Sequence, residues 1–230
     1  MPPDPPPLLT LTGVSRAYGD RLALRPVDLA VAAGRCVAVM GANGSGKSTL
    51  LRIAAGRDTP STGRVAYAGR TMTQDDLVVR TEIAIVGDMV SAYPDLTVRE
   101  HLQLVATAHG AGRDGDELVD RALRECRLSD HGGALPGSLS SGQLQALHLA
   151  AMLVRPRRLM VLDEPEQRLD PAARRWLAGL LLAQKQAGAA LLMATHHVEL
   201  ATAVADHVLV LSDGAVIGEG APGIALTAIG

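Results

Sequence analysis

The run Gly41-Ala42-Asn43-Gly44-Ser45-Gly46-Lys47-Ser48-Thr49 constrains this chain more than any other feature. It follows five apolar residues, Cys36-Val37-Ala38-Val39-Met40, that read as a buried strand, and it precedes Leu50-Leu51-Arg52-Ile53-Ala54-Ala55, which suits a helix. A strand, a glycine-rich turn ending in Lys-Ser-Thr and a helix together make a phosphate-binding loop. The glycines let the backbone curl so that successive N–H groups point inward at an anion, and the helix turns its positive N-terminal end toward the same charge. In such a loop Lys47 reaches the terminal phosphates and the Ser48 hydroxyl ligates Mg²⁺, while Asn43, Gly44, Ser45, Gly46 and Thr49 complete the cradle. An ordinary glycine-rich turn needs no lysine, hydroxyls and buried strand in combination. The motif therefore predicts binding of a nucleoside triphosphate.

At 230 residues and 47% hydrophobic content the chain can hold one large or two small domains around a core. A formal net charge of −2 supplies no basic excess to displace counterions from nucleic acid, which is excluded as an expected partner. The two cysteines, Cys36 and Cys126, make neither a disulfide framework nor a metal cluster and fit a reducing cytoplasm. No apolar run approaches the roughly 18 residues of a membrane-spanning helix. The opening Met1-Pro2-Pro3-Asp4-Pro5-Pro6-Pro7 lacks the apolar core of a signal peptide and is expected to form an extended, solvated arm over residues 1–7.

Residues 8–31 alternate in short strand-like pieces, broken at Tyr18-Gly19-Asp20 and at Arg25-Pro26, as in an antiparallel edge subdomain. Val65-Ala66-Tyr67 and Ile83-Ala84-Ile85-Val86 read as further strands, and Thr97 to Ala108 and Asp116 to Arg127 carry helical spacing of Leu and Val. A helix from Gly142 to Val154 stops near Pro156 and gives way to the apolar strand Leu159-Met160-Val161-Leu162. Pro171 to Gln186 and His197 to Ala205 read as helices, Ala189 to Ala194 as a strand, and His207 to Leu211 with Ala215 to Ile217 as closing strands joined at Asp213-Gly214. The pattern predicts an α/β core with a helical insert over about 88–155.

Two further motifs carry chemistry. Leu159-Met160-Val161-Leu162-Asp163-Glu164 sets two carboxylates beyond the end of a buried strand, where open parallel sheets bind ligands. Asp163 then joins Ser48 at one Mg²⁺ site, and Glu164 is the candidate base that polarises the attacking water. Leu139-Ser140-Ser141-Gly142-Gln143 is a polar turn leading into a helix, with N–H groups and hydroxyls suited to phosphate. One triphosphate does not need two cradles in one subunit, so Ser140, Gly142 and Gln143 are expected to face the nucleotide of a second subunit. The alternative is a simple helix cap made by Ser140 or Ser141.

With these motifs in view, residues 8–220 resemble the nucleotide-binding subunit of ATP-binding cassette (ABC) transporters. Tyr18 matches the aromatic that stacks on adenine, Gly41 to Thr49 the Walker A loop, and Leu139 to Gln143 the LSxGQ signature. Leu159 to Glu164 match the Walker B strand, Leu169-Asp170 the D-loop, and His196 the switch histidine that contacts the terminal phosphate. His196 and His197 are not expected to form a metal site, because neighbours on a helix or strand point apart and no Cys or third His lies at ligand spacing. The resemblance implies a P-loop NTPase core with a mostly parallel sheet, an N-terminal antiparallel β-subdomain and an inserted helical subdomain, all within one domain over 8–230. It also implies ATP and Mg²⁺ as ligands, ATP hydrolysis with Glu164 and His196 in catalytic roles, and a homodimer or heterodimer of such subunits. An integral-membrane permease would hold the subunit peripherally at the cytoplasmic face, with export favoured over import. The alternative is a soluble ABC ATPase of protein or iron–sulfur cluster assembly that has no permease.

The chain departs from the family pattern at four places. Asp88 aligns where the family has the Q-loop glutamine, and its carboxylate remains able to ligate Mg²⁺ as a hard oxygen donor. Leu144 and Met152 stand where basic residues are usual, and Gln167-Arg168 replace small residues before the D-loop.

Overall fold

The computed structural model describes residues 6–73, 76, 81–87 and 92–228. Strands β1 (Pro7–Tyr18) and β2 (Arg21–Ala32) form an antiparallel hairpin turned at Gly19-Asp20. β1 also pairs with β4 (Thr62–Tyr67), which pairs with the two-residue β5 (Arg70–Thr71), giving a four-stranded sheet in the order β2-β1-β4-β5. The expected break at Arg25-Pro26 does not occur. Pro26 lies within β2, an edge strand of this sheet, where the ladder register shifts and no partner calls for a proline N–H. Of the expected arm over residues 1–7, Pro7 already belongs to β1 and residues 1–5 lie outside the described residues.

The second sheet has six strands in the order β10-β9-β3-β8-β7-β6. It comprises β3 (Cys36–Met40), β6 (Ile83–Val86), β7 (Leu159–Asp163), β8 (Ala190–Ala194), β9 (His207–Ser212) and β10 (Ala215–Gly220). Pairing is parallel throughout except for the β9–β10 hairpin, which turns at Asp213-Gly214. Both turn residues take positive φ, 47° and 74°, as a tight hairpin requires. The central strands are buried on both faces, and the period-two alternation of side chains divides them between two cores. Val37, Val39, Val161, Leu192 and Leu209 face the antiparallel sheet, whereas Ala38, Met40, Met160, Met193 and Val210 face the opposite side.

Helix α1 (Lys47–Ala54) packs into the first of these cores through Leu50, Leu51 and Ile53. Eight residues are too few for a helix to persist in water. Burying those three side chains, at about 1.5–3 kcal/mol each, is what holds it. Between β6 and β7 come α2 (Val98–Ala108), α3 (Gly115–Glu125) and α4 (Ser141–Leu153), which join the second core. Thr97 and Glu100 form a reciprocal capping box that starts α2. α4 is apolar on nearly every side, and Leu147, Leu149 and Ala150 are fully buried. The chain continues through α5 (Pro171–Gln186), α6 (Val198–Val204) and the short α7 (Pro222–Ala225).

Candidate nucleotide site

A cleft of about 630 Å³ opens at the C-terminal ends of β3 and β7. Its walls include Tyr18 at the end of β1, the loop from Asn43 to Thr49, the Asp163-Glu164 pair after β7, and the Asp213-Gly214 turn. Residues far apart in sequence meet here because β3 and β7 both flank β8 and run parallel, so their ends emerge on one edge of the sheet.

The loop conformation is enforced from three directions. A Cβ at Gly41 (φ 146°) would sit 2.2 Å from the Leu211 carbonyl oxygen, and one at Gly46 (φ 106°) would sit 2.8 Å from that of Ala23. No side chain fits at either position. The Gly214 N–H donates to the Ser45 carbonyl at 3.0 Å, and the Gly214 carbonyl accepts from the Arg25 N–H at 2.7 Å. The loop is thereby tied both to the first hairpin and to the last. Lys47 is 5% exposed, and its ammonium donates to the carbonyls of Gly41 at 2.8 Å and Ala42 at 3.0 Å. The Ser45 hydroxyl is buried beside Gly41 and has no hydrogen-bond partner among the described residues. Buried polar groups are otherwise satisfied, so this hydroxyl marks unused capacity in the loop wall.

Glu164 follows β7 with a positive φ of 46°, and its N–H donates to the Ala194 carbonyl at 2.9 Å. Non-glycine residues in that region concentrate at functional sites. Its carboxylate accepts from the Gln167 side-chain amide at 2.7 Å, and it stands 4.0 Å from the Lys47 ammonium and 3.6 Å from the His196 Nδ1. By sequence Gln167 stands out only as a departure from small residues. In the fold it holds Glu164, and a long amide three residues after the acid was the available signal.

Tyr18 is 44% exposed at the cleft mouth. Its hydroxyl donates to Asp58, and the Arg16 guanidinium lies 4.5 Å from its ring centroid while bridging to Asp58 at 2.8 Å. Arg16 and Asp58 thus fix the ring. Asp58 carried no local sequence signal, because it reaches Tyr18 only through the packing of the segment after α1.

Ser140 is the N-cap of α4. Its hydroxyl accepts from the Gln143 N–H at 3.2 Å, and the Gln143 side-chain oxygen accepts from the Ser140 N–H at 2.8 Å. The choice between Ser140 and Ser141 as cap therefore falls on Ser140. The Gln143 amide nitrogen is also 2.8 Å from the His131 Nε2. None of Ser140, Gly142 or Gln143 lines the cleft that holds Lys47. Asp170 caps α5, accepting from the Ala173 N–H at 2.7 Å. Asp88 lies outside the described residues.

The expectation that His196 and His197 point apart is not met. The pair sits on neither helix nor strand but in the loop between β8 and α6, and the ring centroids are 4.3 Å apart. The alternation that separates neighbours on a strand does not operate there.

The ABC transporter family model matches residues 24–167. The Nod factor export ATP-binding protein I of Rhizobium sp. (strain N33) is 32% identical over 215 residues, covering 93% of this chain and 71% of its own length. The SkfA peptide export ATP-binding protein SkfE of Bacillus subtilis (strain 168) is 32% identical over 208 residues, covering 90% and 86%. Among solved structures, the dimeric post-hydrolysis state of an ATP-binding cassette bound to ADP and Pi superposes with a TM-score of 0.83 and 26% identity, over 93% of this chain and 98% of that one. Motif order, sheet topology and these matches agree: the chain belongs to the ABC transporter family, as an ATP-binding subunit that hydrolyses ATP.

Proposed function

We propose that this chain drives export through a separate membrane permease. The observation that carries the reading is the likeness, at 32% identity over nine-tenths of the chain, to two proteins named as export ATP-binding subunits. Among the described residues no helix is long and apolar enough to cross a membrane, so another subunit would supply the pathway.

In this reading two subunits sandwich two ATP molecules. Each contributes Tyr18 for stacking on the adenine and the loop from Asn43 to Thr49 for the phosphates, with Lys47 turning from the Gly41 and Ala42 carbonyls to the terminal phosphates. The Ser48 hydroxyl and the Asp163 carboxylate line the same cleft and are the hard-oxygen type of donor that Mg²⁺ prefers. Bound there, Mg²⁺ would neutralise charge on the terminal phosphates. Asp88, at the family's glutamine position by sequence, is a candidate further oxygen ligand. Glu164 orients and deprotonates the attacking water, held by Gln167, and His196 contacts the γ-phosphate. Ser140, Gly142 and Gln143 close on the partner's ATP, which accords with their position outside the subunit's own cleft. Asp170 would meet the partner across the same interface. Closure with ATP and release after hydrolysis would move the permease by a ligand-driven population shift.

Fractionation of cells that make the chain tests the permease half of this reading. The chain should sediment with membranes and be released as a peripheral protein by alkaline washing. Recovery wholly in the soluble fraction of the cells that natively make the chain would overturn it.

A further inference from the structure

Glu166 is 1% exposed, yet it carries a side chain that ordinarily demands water or a cation. One carboxylate oxygen accepts from the Thr195 hydroxyl, and the other is buried with no hydrogen-bond partner among the described residues. Leaving a buried acceptor unmatched costs about 1–3 kcal/mol, and more when it is charged. In front of it stand the two histidines. One ligand-capable atom from each of Glu166, His196 and His197 lies within 4.8 Å of the other two.

The sheet creates this juxtaposition. β7 and β8 are parallel neighbours in which Asp163 is level with Ala194, so Glu166 and His197, each three residues further on, emerge side by side. The His197 N–H donates to the Thr195 hydroxyl oxygen at 3.0 Å, which links the backbone of the histidine pair to the group that also holds Glu166. The Arg174 guanidinium approaches the His197 Nδ1 at 3.3 Å.

We propose that Glu166, His196 and His197 form a site for a divalent first-row transition metal of the Zn²⁺ class, and that its occupancy restrains ATP hydrolysis. Two imidazoles and a carboxylate, with water at the fourth position, are a donor set that suits Zn²⁺, whereas Mg²⁺ and Ca²⁺ favour oxygen alone. Tetrahedral ligands with bonds of about 2.0–2.1 Å lie about 3.4 Å apart, so the cluster closes by movements of about 1 Å. His196 is 48% exposed and free to rotate that far. Restraint follows because a His196 ring held on the metal is no longer free to make the γ-phosphate contact. That regulatory half rests on the γ-phosphate role proposed above for His196, whereas metal binding does not.

Co²⁺ titrated into the nucleotide-free full chain serves as the probe. One equivalent should bind with the visible absorption of four-coordinate Co²⁺, and Zn²⁺ should displace it. His197→Asn and Glu166→Gln should each weaken Co²⁺ binding at least tenfold. His197 is only partly buried, so its variant decides the matter even if the buried Glu166→Gln unfolds. No visible band, unchanged affinity in His197→Asn, or thiolate charge-transfer bands from the buried Cys36 or Cys126 would overturn the site. For the restraint, one equivalent of Zn²⁺ beside excess Mg²⁺ and ATP should lower turnover at least fivefold in the native chain and leave His197→Asn unaffected. Equal inhibition of both would mean competition at the nucleotide and would overturn restraint, and Co²⁺ binding without any inhibition would do the same while leaving the site standing.

Discussion

At the scale of single residues, Lys47 shows how the site is arranged before nucleotide arrives. Its ammonium, buried and held by two loop carbonyls, can exchange those partners for phosphate oxygens without leaving the loop. Lys47→Ala should weaken ATP at least tenfold in calorimetric titration, and unchanged affinity would contradict its assignment. Cys36 offers a test of burial. Its thiol is pushed up from 9.0 to about 12, chiefly by desolvation, with Lys185 opposing and Asp206 adding to the shift. Burial likewise raises Cys126. The thiolate is the reactive form, so neither cysteine should react with a disulfide reagent at neutral pH until the chain unfolds. The sign for stability follows from proton binding. Above pH 9 the unfolded chain releases a Cys36 proton that the folded chain keeps until about 12, so this thiol makes stability fall as pH rises through that window. Chemical denaturation at pH 8 and pH 10 would measure it. The motif residues were legible in sequence because each performs one chemistry at a fixed spacing. Asp58, Gln167 and the facing His196 and His197 were not, since their partners are chosen by tertiary contact.

At the scale of elements, α4 serves two purposes through its first turn. Ser140 caps the helix, and the same residue belongs to the surface proposed to meet a partner's phosphate. These purposes separate by substitution. Ser140→Ala should lower unfolding stability by about 1 kcal/mol and also reduce hydrolysis. Ser140→Asp should recover the lost stability, as aspartate caps equally well, without recovering hydrolysis, because its charge would oppose phosphate. Recovery of both would assign Ser140 to helix capping alone. Helices and strands were read from sequence to within a few residues where caps and Asp-Gly or Pro punctuate them, as at Thr97, Asp170-Pro171 and Asp213-Gly214. Arg25-Pro26 misled because nothing local reveals that a strand will lie at a sheet edge, where proline is tolerated.

At the scale of the whole molecule, the separation of the signature from the cleft makes the single subunit an incomplete site in the proposed mechanism. Glu164→Gln, which keeps the shape of the side chain and loses the base, should bind ATP and accumulate as a dimer on size-exclusion chromatography. Adding Gly142→Asp should return it to a monomer that still binds ATP. A persistent monomer of the first variant would contradict the sandwich. The strand order, with β3 between β8 and β9, could not be derived from one sequence by periodicity, because every central strand is equally apolar. The family resemblance carried by the motifs implied a mostly parallel sheet but no order for its strands, which the fold supplies. That order has a consequence for synthesis. The phosphate loop is complete in sequence by Thr49, yet its shape depends on the Leu211 carbonyl that excludes a side chain at Gly41 and on Gly214, which ties it to Arg25. A nascent chain therefore carries its most recognisable motif long before it can use it, and ATP is expected to gain affinity only once the last hairpin has left the ribosome. Chains stalled before His207 should fail to retain ATP, whereas chains stalled with β10 fully emerged should bind it, which makes nucleotide capture a check on complete translation.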